Sequence, residues 1–215
     1  MRAWAEMFSR FLSARGVLEP YTDADYFAHV DGRPRYDGVR DFLSSRGIAL
    51  AEGEDHDPGD QAPGAETVRG LGNRKNDLVL SLLRREGVAP YPGTVAYLDS
   101  LPGDARLAIV SSSRNAEEVL RAAGLFDRFE HIVDGNRASH EGLPGKPAPD
   151  TYLHGARLLG VDPAATVVYE DAVSGVQSGA AGNFGAVIGV DRGVGAAQLA
   201  AAGATHVVAD LEEIA

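Results

Sequence analysis

Residues 166–190, TVVYEDAVSGVQSGAAGNFGAVIGV, constrain this chain more than any other stretch. They read as strand, acidic tip, helix and strand. Residues 166–169 are a short β-branched and aromatic run, and Glu170 and Asp171 stand where that strand ends. Residues 172–181 are helical in pattern, with Val173 and Val176 as candidate core contacts. Gly182 and Gly185 break the helix, and 186–190 is a second apolar run of strand length. Strand, helix and strand at this spacing make a βαβ unit, which requires a parallel sheet. Open α/β sheets bind ligands beyond the carboxyl ends of their strands. Two adjacent carboxylates at that edge are placed to hold a metal or move protons, and they repel each other unless a cation joins them. The structural alternative is that Asp171 caps the helix and Glu170 is solvated.

The pattern extends through the second half of the chain, beginning at Tyr91-Pro92-Gly93. A helix over 94–100, a strand over 106–110, a helix over 115–122 and a short strand near 131–133 come first. A loop over 134–148 follows, then a helix over 149–159 and the βαβ unit. A helix over 195–201, a strand over 205–208 and a helical turn complete it. Strands alternating with helices imply a doubly wound parallel α/β sheet. The first half differs. Trp4, Met7, Phe8, Phe11 and Leu12 fall at i, i+3, i+4, i+7 and i+8, so the chain opens inside an amphipathic helix. Helices are expected over 23–30, 37–46 and 66–86, the last with Leu78, Leu82 and Leu83 on its apolar face. Residues 52–64, EGEDHDPGDQAPG, form an acidic loop without periodicity. Residues 13–88 therefore read as a helical cap, inserted into a core formed by 1–12 and 89–215.

Charge narrows the partners. The net charge is −11, which argues against nucleic acid and anionic membrane surfaces. An anionic substrate must then be held by a local cationic pocket or a metal. No apolar run reaches the about 18 residues of a membrane span. The opening MRAWAEMFSRFL lacks the unbroken apolar stretch of a signal peptide. The expectation is a cytoplasmic protein, monomeric or weakly dimeric. The absence of cysteine removes disulfides and thiolate metal sites. Of 20 basic residues, only Lys75 and Lys146 are lysines. A lysine retained in such a chain can mark a place that needs a compact point charge rather than a planar fork.

Two further motifs carry chemistry. The strand over 106–110 runs into Ser111-Ser112-Ser113-Arg114-Asn115, and a helix follows. Hydroxyls and backbone N–H groups there suit an anion; serine and asparagine also cap helices. In Gly145-Lys146-Pro147-Ala148-Pro149-Asp150 two prolines stiffen the backbone around Lys146. A lysine fixed in that way can neutralise charge on a phosphate, or it is a solvated loop residue before a proline-initiated helix. Both motifs and the acidic pair fall at strand carboxyl ends or in the loops beyond them. Hydroxyls, a rigid lysine and two carboxylates on one sheet edge fit a phosphate and Mg²⁺ site.

VSSSRN (110–115), GKPAPD (145–150) and VVYEDAVSGVQSGAAG (167–182) resemble the haloacid-dehalogenase superfamily of phosphatases and phosphomutases, over nearly the whole chain. RAW near the start, the helical cap, RKND (74–77) before YPG (91–93), and KPAPD make it similar to the β-phosphoglucomutase-like group. The resemblance implies Mg²⁺-dependent phosphoryl transfer through an aspartyl-phosphate, on a small phosphorylated metabolite such as a sugar phosphate. It implies that Ser111 binds the phosphate, that Lys146 neutralises its charge, and that Glu170 and Asp171 ligate Mg²⁺. Arg35, Lys75 and Asn76 on the cap, with Ser112, Ser113, Arg114 and Asn115 on the core, would meet the sugar or a distal phosphate. Phosphatase and mutase are both compatible with these residues.

The superfamily's nucleophile lies in an Asp-x-Asp motif ending a first strand that precedes the helix with which this chain opens. By the resemblance, that strand sits between those ending at Val110 and Tyr169. Asp23-Ala24-Asp25 opens a cap helix and reads as capping, and Asp55-His56-Asp57 reads as an unstructured acidic loop. Without the strand its neighbours stand roughly 9–10 Å apart instead of about 4.8 Å. Each backbone group left buried and unpaired then costs about 1–3 kcal/mol. Such a sheet closes up, recruits another segment or belongs to a longer chain. The expectation is a start placed too far downstream or a truncated chain, a weak or empty metal site, and an inactive enzyme. The alternative is a non-catalytic descendant that binds phosphorylated sugars or a protein.

Overall fold

The apolar stripe of the first helix organises the N-terminal half. In the computed structural model, which describes all 215 residues, the chain divides into two units, Met1–Gly87 and Val88–Ala215. The first holds α1 (Arg2–Ala14), α2 (Asp23–His29), α3 (Arg35–Ser45) and α4 (Val68–Glu86). α1 buries Trp4, Met7, Phe8, Phe11 and Leu12, and its partners include Val39 and Phe42 of α3 and Leu71 of α4. The Phe8 ring lies 4.0 Å from that of Phe42, 5.2 Å from Tyr21 and 5.5 Å from Trp4, between centroids. α1 thus belongs to the helical unit, and the expected division that gave 1–12 to the α/β part is corrected. It buries more residues than any other helix of this unit, and α2 buries only Asp25.

Local chemistry sets the helix ends. Thr22 and Asp25 form a reciprocal capping box at the start of α2, so Asp23-Ala24-Asp25 is a helix start, as the sequence implies. Thr67 Oγ1 accepts the Gly70 N–H at 2.9 Å and caps α4. Gly72 lets α4 approach α3, because a Cβ there would stand 2.7 Å from the Tyr36 ring. On α4 the buried face is the first turn and Leu71, with Leu78 packed at its edge; Leu82 and Leu83 are only partly covered. The acidic loop is not unstructured. Asn73 Nδ2 donates to the carbonyls of Asp55 and Asp57 at 3.0 and 2.8 Å. Arg74 donates to Gly59 and Gln61 carbonyls, and Thr67 Oγ1 donates to Asp57 at 2.6 Å. α4 therefore supplies the order that the loop sequence lacks.

The second unit alternates as expected. It runs α5 (Pro92–Ser100), β1 (Ala108–Val110), α6 (Ala116–Ala122), β2 (His131–Val133), α7 (Gly135–His140), α8 (Asp150–Leu159), β3 (Val167–Glu170), α9 (Val173–Ala181), β4 (Ala186–Val190), α10 (Ala196–Ala201) and β5 (His206–Val208), then a short turn at Leu211–Ile214. α7 lies inside the expected loop over 134–148; Asp134 caps it by accepting the Arg137 N–H at 2.8 Å. All strand pairs are parallel. α8 packs on β1 and β2, α9 on β3 and β4, and α10 on β4 and β5. Tyr152, Val168, Val176, Val187 and Leu199 form the core between sheet and helices. The ladder is broken once: β1 pairs with β2, β3 pairs with β4 and then β5, and no ladder joins β1 to β3. No helix is long and apolar enough to cross a membrane.

Truncating Phe8 leaves a cavity in a fully buried aromatic cluster. Phe8→Ala is expected to destabilise the helical unit by about 3–5 kcal/mol. Urea unfolding followed by the fluorescence of Trp4, the single tryptophan, checks it.

Candidate active site

β1 carries the chain to the 111–115 turn. Ser111 extends the ladder by one bond, its N–H donating to Val133 O at 2.9 Å. The next residues form serine turns: Ser113 N–H donates to Ser111 Oγ at 3.1 Å, and Asn115 N–H to Ser113 Oγ at 3.2 Å. The segment after β2 holds this turn from outside. Gly135 N–H donates to Ser113 O at 3.0 Å and Asn136 Nδ2 to Arg114 O at 2.8 Å. Asn115, buried, stands at the start of α6 but does not cap it through its side chain. The hydroxyl cluster therefore shapes the turn rather than capping α6.

Lys146 enters from the opposite direction. Its loop is tied to α9 by Ser178, whose fully buried hydroxyl donates to Ala148 O at 2.7 Å. Lys146 is 7% exposed. Its ammonium donates to Val110 O at 3.3 Å, to Tyr152 Oη at 3.1 Å and to Glu170 Oε1. Tyr152 Oη in turn donates to Glu170 Oε1 at 2.9 Å. Glu170 Oε2 accepts the N–H groups of Asp171 at 3.0 Å and Ala172 at 2.9 Å. Lys146 thus uses its three donors, and Glu170 receives four bonds, as many as a carboxylate has lone-pair sites. Tyr152 is the member that sequence reasoning missed. The available signal was its place on the inward face of α8, where a buried tyrosine must find a hydroxyl partner.

Glu170 was expected to be half of a metal pair; in this structure its carboxylate is paired with Lys146. A carboxylate 9% exposed needs a counter-charge, and Lys146 supplies it. Burial pushes the Glu170 carboxyl up, but the Lys146 charge and the bonds from Lys146, the Ala172 N–H and Tyr152 outweigh burial and hold it below its ordinary value. Burial, then the neighbouring Glu170 charge, pushes the Tyr152 hydroxyl well up. Asp171 is exposed at the tip of the edge. Mg²⁺ takes about six oxygen ligands in a strict octahedron. With Glu170 saturated, Asp171 stands as the one acidic side chain of the pair able to turn outward, and no three acidic or imidazole side chains gather anywhere. The residues present do not make a magnesium site as they are arranged.

The expected cap residues meet in the helical unit. Arg35 Nη2 donates to Asn76 Oδ1 at 2.7 Å. The Lys75 ammonium lies 4.8 Å from the centre of the Trp4 ring, a cation–π contact. Burial, then the Arg35 charge, lowers Lys75 to about 8. Arg35, Lys75 and Asn76 thus form one cationic group, whereas Ser111, Ser112, Ser113, Arg114, Asn115, Lys146, Glu170 and Asp171 lie along the carboxyl edge of the α/β unit.

Two outcomes follow from the buried pair. A Cβ at Gly175 would collide with the Glu170 carboxyl group. Gly175→Ala should drive Glu170 off Lys146 and cost about 3–5 kcal/mol, and the loss should be strongly non-additive with Glu170→Gln in urea unfolding. Because the folded Glu170 carboxyl titrates below its ordinary 4.5, its contribution is complete above that pH. It is lost as the pH falls further, through the folded value. Stability measured from pH 7 down to 3 should decline below 4.5, and less steeply in Glu170→Gln.

Comparison with known proteins agrees with the fold. A family model described as haloacid dehalogenase-like hydrolase matches residues 1–183. A β-phosphoglucomutase of Mycobacterium bovis is 46% identical over 224 residues, covering 99% of this chain and 84% of that protein. The fructose-1-phosphate phosphatase YqaB of Escherichia coli is 35% identical over 119 residues, covering 54% of this chain and 60% of that protein. The crystal structure of a β-phosphoglucomutase from Clostridium difficile matches with a TM-score of 0.77 at 20% identity, over 100% of this chain and 86% of that one. The chain belongs to the haloacid dehalogenase-like hydrolases.

Proposed function

We propose that this chain is a phosphoryl-transfer protein of the phosphatase or mutase type whose site takes a small phosphorylated sugar, and that, as its side chains are arranged here, it binds the sugar phosphate without turning it over. One observation carries the reading. The 111–115 hydroxyl turn and the Lys146 ammonium meet at the carboxyl end of β1, where Lys146 bonds Val110 O at 3.3 Å. The relatives named above for acting on phosphorylated sugars support the substrate class.

The phosphate lies against the hydroxyls and N–H groups of the turn. Lys146 balances its charge by exchanging the long bond to Val110 O for a phosphate oxygen. Covalent phosphoryl transfer needs a nucleophile able to reach phosphorus. Glu170, the buried carboxylate of this edge, is held by four donors facing the core. A divalent metal would neutralise phosphate charge, and this chain's residues do not assemble one.

Calorimetric titration tests this directly. Glucose 6-phosphate is expected to bind and glucose not. Ser111→Ala removes a hydrogen bond to a charged group, about 1.5–3 kcal/mol, and should weaken binding about 10- to 150-fold. With p-nitrophenyl phosphate and Mg²⁺, phosphate release should stay at the protein-free rate. No difference between glucose 6-phosphate and glucose, or turnover by this chain, refutes the proposal.

A further inference from the structure

A short helix holds the turn after β1 from outside. Three successive carbonyls of the turn lie against the start of α7. A Cβ at Gly135 would stand 2.7 Å from Ser112 O. Gly135 N–H donates to Ser113 O at 3.0 Å, and Asn136 Nδ2 donates to Arg114 O at 2.8 Å. The second hydrogen of that amide goes to Asp134 Oδ2 at 3.0 Å. Both Nδ2 donors are thus committed, and the amide is fixed in one orientation.

These bonds set which way the dipoles of the turn point. In a planar trans peptide the C=O and N–H groups point to opposite sides. Bonding Ser113 O and Arg114 O to α7 therefore directs the N–H groups of Arg114 and Asn115 the opposite way, and Asn115 N–H is found on Ser113 Oγ at 3.2 Å. An anion is attracted by N–H groups and repelled by carbonyl oxygens. α7 takes up the carbonyl side of the turn. It is itself braced from behind. Arg137 Nε donates to Glu141 Oε1 at 2.8 Å. Glu141 Oε2 stands 3.1 Å from Nε2 of His154, a buried residue of α8, though not aligned for a hydrogen bond. Asn136 is exposed, so its side chain does not fill the core; what it contributes is the bond to Arg114 O.

We propose that α7 is a bracket that orients the 111–115 turn toward a phosphate, with Asn136 as its positioning residue. Asn136 does not touch the ligand. It holds the Arg114 carbonyl away from it, and so sets how much negative charge the turn accepts. This role rests on the proposal that the turn binds phosphate.

Asn136→Ala, a surface change that leaves folding intact, tests this in calorimetric titration with glucose 6-phosphate. A sugar phosphate passes from singly to doubly charged near pH 6, as phosphate esters do. At pH 8 the variant should bind about 3- to 10-fold more weakly than the unchanged protein, because the released carbonyl meets the dianion. At pH 5 the monoanion is repelled less, and the difference should shrink to about twofold or less. Every other titrating group is common to the two proteins, so their ratio isolates the charge of the ligand. Amide hydrogen exchange without ligand is the second measurement. Exchange at Ser113 and Asn115, whose N–H groups close the serine turns, should quicken about threefold or more in the variant. Equal binding by the two proteins overturns the bracket and leaves the phosphate site standing. Equal weakening at both pH values also overturns it, since that marks a general loosening of the turn. If the unchanged protein binds no glucose 6-phosphate, the phosphate site fails instead, and exchange decides the bracket: faster rates at Ser113 and Asn115 uphold the grip of α7 on the turn, and unchanged rates overturn it.

Discussion

One ammonium group holds the α/β unit across the break in its sheet. Lys146 reaches the last carbonyl of β1 and the carboxylate that ends β3, where no backbone ladder does. A buried charge of either sign would be costly alone. Together, with Tyr152 between them and two backbone N–H groups on the far oxygen of Glu170, they leave neither charge unsatisfied. The rest of the edge depends on this pair. Ser178 anchors the loop that delivers Lys146, and the absence of a side chain at Gly175 leaves room for Glu170. In this arrangement all four bonds of the Glu170 carboxylate come from the protein's own donors.

The helical unit rests on different physics. Its core is an aromatic cluster of Trp4, Phe8, Tyr21 and Phe42, and its surface is laced by arginine pairs such as Arg40 with Glu52 and Arg2 with Glu86. Exposed pairs of this kind are screened by solvent and contribute little to stability. Arg46 with Asp25 is better buried and is joined by the Thr22 cap. Arginine supplies these contacts because its planar fork suits carboxylates. The two lysines of the chain are elsewhere: one over the Trp4 ring, the other inside the α/β core.

Much of this was legible in the sequence, for identifiable reasons. The βαβ pattern over 166–190 required a parallel sheet, and β3, α9 and β4 follow it because period and breakers agreed. That Ser111 and Glu170 stand at strand ends and Lys146 in a rigid loop was visible, because polar residues after apolar runs and prolines around a lysine show without coordinates. Their pairing was not visible, since it depends on the rotamer that Gly175 permits and on a tyrosine from another helix. α7 was missed because its start signal, Asp134, stands in a polar stretch without an apolar stripe. α1 was assigned to the wrong half because an amphipathic helix declares that it has a partner, not which one. The acidic loop looked formless because its order comes from Asn73, Arg74 and Thr67 rather than from itself.

The central claim is that Lys146 and Glu170 act as one unit that ties β1 to β3. A double-mutant cycle in urea unfolding measures it most directly, with Lys146→Met and Glu170→Gln. Each single change leaves a buried group without its partner and should cost about 3–5 kcal/mol, while the double change should cost much less than their sum. Additive losses would contradict the account.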